Sequence, residues 1–273
     1  MKRILVFLVV TALLLCGCGT AGSDREEAAE ASVTPSPTSD PEQSAREERL
    51  RNAQNGFLWE EGYLYSIDEN GDYLNRQYRG VLFFDEDGRY SSGSEELDEK
   101  IAAIIAEETD DTMTRFGKLR AMYVYTRDHI RYVGLGNHDL SYKPAHGPDG
   151  WMIETALYAL EYERGNCYHF AALFAALARA LGYQAYAVGG EIGSLDQQHG
   201  WIEIIDDSGE IFYCDPETEY SYRYWQDKEP DLFYKSKDTI GLETGLAYTQ
   251  QCDPFITEEK TTKSIKISEK PAA

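Results

Sequence analysis

Positive charge is what this chain is short of: 26 Lys and Arg stand against 48 Asp and Glu, a net charge of -22. A surface so acidic excludes binding to nucleic acid or to an anionic membrane through a basic face. Cysteine is scarce as well, five in 273 residues, so no disulfide framework is expected and the fold must rest on apolar packing. Histidine is equally sparse at five. The loop trio His138, Asp139 and His146 matches no metal-ligand spacing, and neither a metal nor a cofactor is expected. No apolar run is long enough to cross a bilayer as a helix; residues 4–15 are apolar but too few.

Met1, Lys2 and Arg3 ahead of that run read as a secretory signal. It ends in Leu15-Cys16-Gly17-Cys18, which resembles the lipobox of bacterial lipoproteins, and Gly17 before Cys18 fits better than Leu14-Leu15 before Cys16. The resemblance implies a signal over residues 1–18, a lipid on Cys18, and residence at the outer face of a bacterial plasma membrane; an ordinary cleaved signal is the rival reading. Residues 19–54, rich in Ser, Thr, Pro, Ala and Glu, hold almost no large apolar side chain and read as a disordered tether with a reach on the order of 30 Å.

Residues 55–94 switch to aromatics between turn residues. Asp68-Glu69-Asn70-Gly71 and Asp85-Glu86-Asp87-Gly88 lie 17 residues apart and mark two hairpin turns of a small β repeat. Its aromatics serve either packing on the next domain or, by weak resemblance to Gram-positive wall-binding repeats, docking to cell wall. Helical spacing then predicts helices over 97–107 and 113–132, with Asp110, Asp111 and Thr112 as a capping cluster, and a shorter helix over 151–160. The domain is expected to span residues 95–250, followed by a polar tail over 251–273.

The most informative stretch is residues 165–182. From Phe170, large apolar residues recur at Leu173, Phe174, Leu177 and Leu181, the stripe of a helix against a core. Gly165 and Asn166 supply its start and Gly182 its stop. Cys167 therefore falls in the first turn, where free N–H groups and the helix dipole favour a thiolate. Downstream the period becomes two: strands are expected over 183–188, broken by Gly189-Gly190, then over 197–205 and 210–215. The turn Asp206-Asp207-Ser208-Gly209 makes the last two a hairpin in which facing residues have numbers adding to about 415. An odd-length loop with left-handed Gly209 makes the sum even and puts His199, Trp201 and Asp215 on one face; an even loop needs a bulge.

A nucleophilic thiol needs an imidazole to hold its proton, and that imidazole needs a carboxylate at its other nitrogen. Cys167, His199 and Asp215 supply these groups in order, and the Cys167 amide is a candidate oxyanion donor. Gly165-Asn166-Cys167 opening an Ala/Leu helix, His199-Gly200-Trp201-Ile202-Glu203, and Tyr213-Cys214-Asp215-Pro216 together resemble the core of the transglutaminase-like superfamily, over residues 113–225. The resemblance implies an α+β, papain-like fold with the cysteine helix packed on an antiparallel sheet. It also implies thiol acyl transfer on peptide or carboxamide bonds, here of a cell-envelope peptide or protein; the family includes both cross-linkers and peptidases, and hydrolysis is favoured because no sequence feature suggests a dedicated amine pocket or a calcium site. Tyr168-His169 is bulkier than the small residues often found there. His169 points to another face from Cys167 and is assigned to structure or to the substrate rim, and Trp201 to the site wall or the sheet. The remaining thiols, Cys214 and Cys252, read as a core residue and a tail residue with a disulfide between them left open. The alternative function is a silent cleft and aromatic repeat that bind wall or protein without turnover.

Overall fold

In the computed structural model the described residues are 40–134, 150–193 and 197–252, so Cys18, the signal, residues 19–39 and the loop carrying His138, Asp139 and His146 lie outside them. The chain is α+β, with the elements α1 (Pro41–Asn52), β1 (Phe57–Glu60), β2 (Tyr63–Ser66), β3 (Gln77–Arg79), β4 (Leu82–Phe84), β5 (Tyr90–Ser91), α2 (Glu95–Glu108), α3 (Arg115–His129), β6 (Arg131–Tyr132), α4 (Gly150–Tyr162), β7 (Arg164–Gly165), α5 (Cys167–Ala180), β8 (Gln184–Ile192), β9 (Gln197–Ile205), β10 (Ile211–Cys214), α6 (Pro216–Gln226), β11 (Lys235–Ser236) and β12 (Tyr248–Cys252). No helix among them is long and apolar enough to cross a membrane.

The cysteine helix α5 is more central than an amphipathic stripe implies. Every residue of it except Tyr168 is buried, and α2, α3, α4, α6, β8 and β9 all pack around it. Its alanines explain how: a helix apolar all round is an interior helix, and small side chains let neighbours approach from every side. Arg115 closes its far end by donating to the Leu181 and Gly182 carbonyls.

Beside it lies a five-stranded antiparallel sheet in the order β11-β10-β9-β8-β12. Alternation gives it two cores: Ala185, Ala187, Ile202, Ile204 and Cys214 belong to the cluster around α5, whereas Tyr186, Val188, Trp201, Tyr213 and Tyr248 form a second. Gly189 and Gly190 do not end the strand, which runs on to Ile192. A Cβ on Gly190 would sit 2.3 Å from the Thr249 carbonyl and 2.6 Å from the Trp201 ring, so glycine there admits β12 and Trp201 rather than breaking the ladder.

The β9–β10 register pairs Ile211 with Ile205 and Cys214 with Ile202, an even sum of 416, across a loop with Gly209 at φ 87°. The odd-length expectation holds. One turn chemistry recurs three times: Asp68, Asp85 and Asp206 each accept through Oδ1 from the backbone N–H groups two and four residues on. The repeat is an Asx-turn device in which the side chain substitutes for missing backbone partners.

Two boundaries change. Residues 41–52 of the expected tether form α1, capped by Asp40 with Pro41 at its start and fastened by Arg46 to Asp72 (2.7 Å) and by Arg49 to the Gly71 carbonyl (2.6 Å). Residues 55–94 do not keep a core of their own: Phe57, Leu64, Leu82, Phe84 and Tyr90 join the cluster around α5, and Gln184 on β8 bonds to Val81 and Arg79. Helix α3 is shorter than expected, and its cap is Thr114 rather than the Asp110 cluster. Cys214 is a free buried thiol accepting from the Tyr234 N–H. Its strand is separated from β12 by β9 and β8, roughly 14 Å at strand spacing, beyond the reach of a disulfide to Cys252.

Candidate active site

The starts of α5, β9 and α6 meet at a cavity of about 460 Å³ whose wall includes Cys167, His199 and Glu217. Asn166 builds the first turn of α5, its side chain accepting from the Tyr168 N–H at 3.1 Å. Cys167 thus takes the first helical position, as the sequence indicated. The parallel pairing of β6 with β7 brings Tyr132 alongside.

His199 is 2 % exposed and stacks over Trp201, with ring centroids 6.2 Å apart. Its Nε2 lies 2.8 Å from Asp215 Oδ2, and the Cys167 thiol is hydrogen-bonded to the same ring. With Nε2 engaged by Asp215, Nδ1 is the nitrogen left to face the sulfur. Nδ1 also lies 3.6 Å from Glu217 Oε2. Burial by itself would lower the His199 pKa, but the Asp215 charge, the Asp215 hydrogen bond and the thiol outweigh it and hold it well above 6.5. For Asp215, burial pushes the other way, and His199, the Thr218 N–H and Tyr248 overcome it to keep the carboxyl below its usual range.

Asp215 has more duties than its place in the hairpin indicated. It caps α6, accepting from the Thr218 N–H at 2.9 Å, and takes the Tyr248 hydroxyl at 2.7 Å from edge strand β12. Behind it Glu219 gathers Arg127 (2.5 Å), the Tyr123 hydroxyl (2.7 Å) and the Leu232 N–H (3.1 Å), fixing α6 to α3. The Asp-Pro-Glu sequence at residues 215–217 is a helix-start signal that finds α6. Nothing in residues 246–252 marks Tyr248, whose role depends on a long-range strand pairing.

Trp201 and His169, the two candidates for substrate binding, both take the structural alternative. Trp201 is fully buried in the second core beneath His199, with its indole N–H unpartnered, and does not line the cavity. His169 is also off the cavity wall: its Nδ1 turns back to the Asn166 N–H at 3.2 Å, closing a capping box, and its ring meets Tyr158 edge-on. Burial lowers its pKa to about 4, so it is neutral. The wall is formed instead by residues such as Tyr132, Tyr168, Glu217, Tyr222 and Trp225.

Among the described residues, the donor atoms of His199, Asp215 and Glu217 lie within 4.8 Å of one another. The 2.8 Å approach of His199 to Asp215 is a hydrogen bond, shorter than the roughly 3.3 Å between two ligands about 2 Å from a tetrahedral metal ion.

Residues 100–216 match the family model of the transglutaminase-like superfamily. Among solved structures, a "Putative Cysteine Protease from Cytophaga hutchinsonii" is similar at 18 % identity and a TM-score of 0.33, covering 43 % of this chain and 37 % of that one. The chain therefore spans little more than a third of that protein. No curated protein matches it.

Proposed function

With residues 100–216 a transglutaminase-like domain, we propose that this chain is a thiol acyl-transfer enzyme acting on peptide or carboxamide bonds through Cys167, His199 and Asp215. The observation that carries the reading is the contact chain from Cys167 to His199, both on the wall of one cavity, and on to the buried Asp215 behind them. The Cys167 thiolate attacks the carbonyl carbon, and the oxyanion forms near the Cys167 N–H at the start of α5. His199 gives its proton to the leaving amine, which departs and leaves a thioester. Water then attacks the thioester, His199 takes the proton, and the thiolate is released with the acid product. Asp215 holds the ring in position throughout and stabilises its cation before the amine leaves and after water is deprotonated.

Water is the proposed acceptor, making the enzyme a peptidase or amidase rather than a cross-linker; the hydroxyl of Ser221 and the amides of Gln197 and Gln198 offer it partners along the wall. A lipid on Cys18 would hold the domain at the outer face of the bacterial membrane, facing envelope peptides and proteins. The non-catalytic alternative draws no support from residues 55–94, whose Phe57, Phe84 and Tyr90 are inside the core.

The test is mass-spectrometric capture of an acyl adduct on the Cys167 peptide after incubation with cell-envelope extract. The expected result is a hydroxylamine-labile adduct absent from Cys167→Ala. An unmodified Cys167 that also reacts with iodoacetamide no faster than free cysteine at pH 6 would overturn the reading. Palmitate labelling that Cys18→Ser abolishes checks the anchor.

A further inference from the structure

Glu217 is a carboxylate in the first turn of α6, where the helix dipole favours negative charge, but its burial beside His199 goes beyond what a helix start asks. It is 7 % exposed, yet its Oε1 is met by Ser221, one turn along the same helix, at 2.5 Å, while Oε2 faces the ring edge of His199 at 3.6 Å. His199 already has its counter-ion in Asp215. Burying a carboxylate costs free energy that these contacts only partly offset. The surroundings point to a cation. Tyr132, Tyr168, Tyr222 and Trp225 line the same cavity, and aromatic faces attract ammonium groups. Among the described lining residues there is no Lys or Arg and no second carboxylate reaching the cavity. Burial raises the Glu217 carboxyl above its usual range and the His199 charge opposes that, but His199 already shares its charge with Asp215, so an anionic group entering the cavity would meet a net negative wall, whereas an alkylammonium would find a carboxylate and several aromatic rings.

We propose that the cleft selects substrates bearing a primary ammonium close to the carbonyl attacked, with Glu217 as its counter-ion and the four aromatic side chains as its walls. The proposal rests on the reading of Cys167 as the acyl-transfer nucleophile and names the substrate class of that site.

Three methanethiosulfonates of similar size test it on the full chain: 2-aminoethyl (cationic), methyl (neutral) and 2-sulfonatoethyl (anionic). Each transfers its thioalkyl group to the Cys167 sulfur and expels methanesulfinate, and peptide-resolved mass spectrometry gives the rate at pH 8. Relative to free cysteine, the cation-to-anion rate ratio is expected to be higher by at least roughly tenfold, and Glu217→Gln is expected to return most of it. An equal ratio in both chains, meaning that the overall acidity sets it, overturns the proposal. So does a variant in which all three rates fall equally, since Glu217 would then only position His199. A second measurement needs no variant: millimolar butylammonium should slow iodoacetamide labelling of Cys167 where butanol and butyrate do not, and equal effects of the three count against a cation site. Failure of the acyl-transfer reading appears separately, as a neutral-reagent rate no faster than that of free cysteine.

Discussion

Two imidazoles are buried near Cys167, His169 two residues along the same helix and His199 across the cavity, and they titrate in opposite directions. Both are nearly inaccessible, at 6 % and 2 % exposure. His169 meets the backbone N–H and side-chain oxygen of Asn166 and a tyrosine ring, none of them charged, so burial decides and its pKa falls to about 4. His199 meets a carboxylate and a thiol, and its pKa rises well above 6.5 against the same burial. Burial sets the stakes in both regions, and the partner sets the sign. The nearer histidine in sequence is a neutral helix clamp; the distant one is equipped to carry a proton.

The largest effect should come from removing the partner. Asp215→Ala strands the His199 cation, uncaps α6 and frees the Tyr248 hydroxyl, and urea unfolding should show a loss of about 3–5 kcal/mol. Asp215→Asn keeps the shape, and with it alkylation of Cys167 at pH 5.5 should drop at least roughly tenfold. An undiminished rate would erase the distinction between the two regions.

The second test works through pH. A histidine whose folded pKa is depressed contributes stability that is full above 6.5 and is lost as pH falls toward 4. Of the stability lost between pH 7 and 5, about 2 kcal/mol should therefore trace to His169 and be absent in His169→Asn. His199 has the opposite sign: its contribution is full below 6.5 and fades only as pH rises through its higher folded value. Asp215 adds stability that is present above 3.8 and lost as pH falls through its lower folded value. Parallel denaturation curves for wild type and His169→Asn at both pH values would put the His169 assignment in error.

The smallest effect is the most selective. Tyr248→Phe removes one hydrogen bond to Asp215 and should cost about 1 kcal/mol. It should lower Cys167 alkylation at pH 5.5 by less than Asp215→Asn does and leave the His169 titration where it was. A shift of both histidines would mean that they share one network.

Much of this geometry was legible in the chain. Asn166 and the apolar spacing of residues 170–181 located α5 and put Cys167 at its mouth, and the Asp206 turn with Gly209 fixed the parity that brings His199 and Asp215 to one face. These are local rules acting over a few residues. The misreadings have tertiary causes. Gly190 resembles a strand breaker until β12 and Trp201 press against it, and α1 has no apolar stripe because it is held by Arg46 and Arg49 rather than by packing. Tyr248 and Glu217 gain their roles only where the chain folds back on itself. For Trp201 and His169 sequence leaves wall and structure as alternatives, and strand alternation and the capping box at the start of α5 decide for structure in both.

The most direct measurement is the nitrogen NMR of the two rings across pH in the reduced protein. His199 should lose its second proton only well above pH 6.5, while His169 stays neutral down to about pH 5. A His199 that titrates at or below 6.5, or two rings that titrate together, would contradict the pairing of Cys167, His199 and Asp215 on which the account rests.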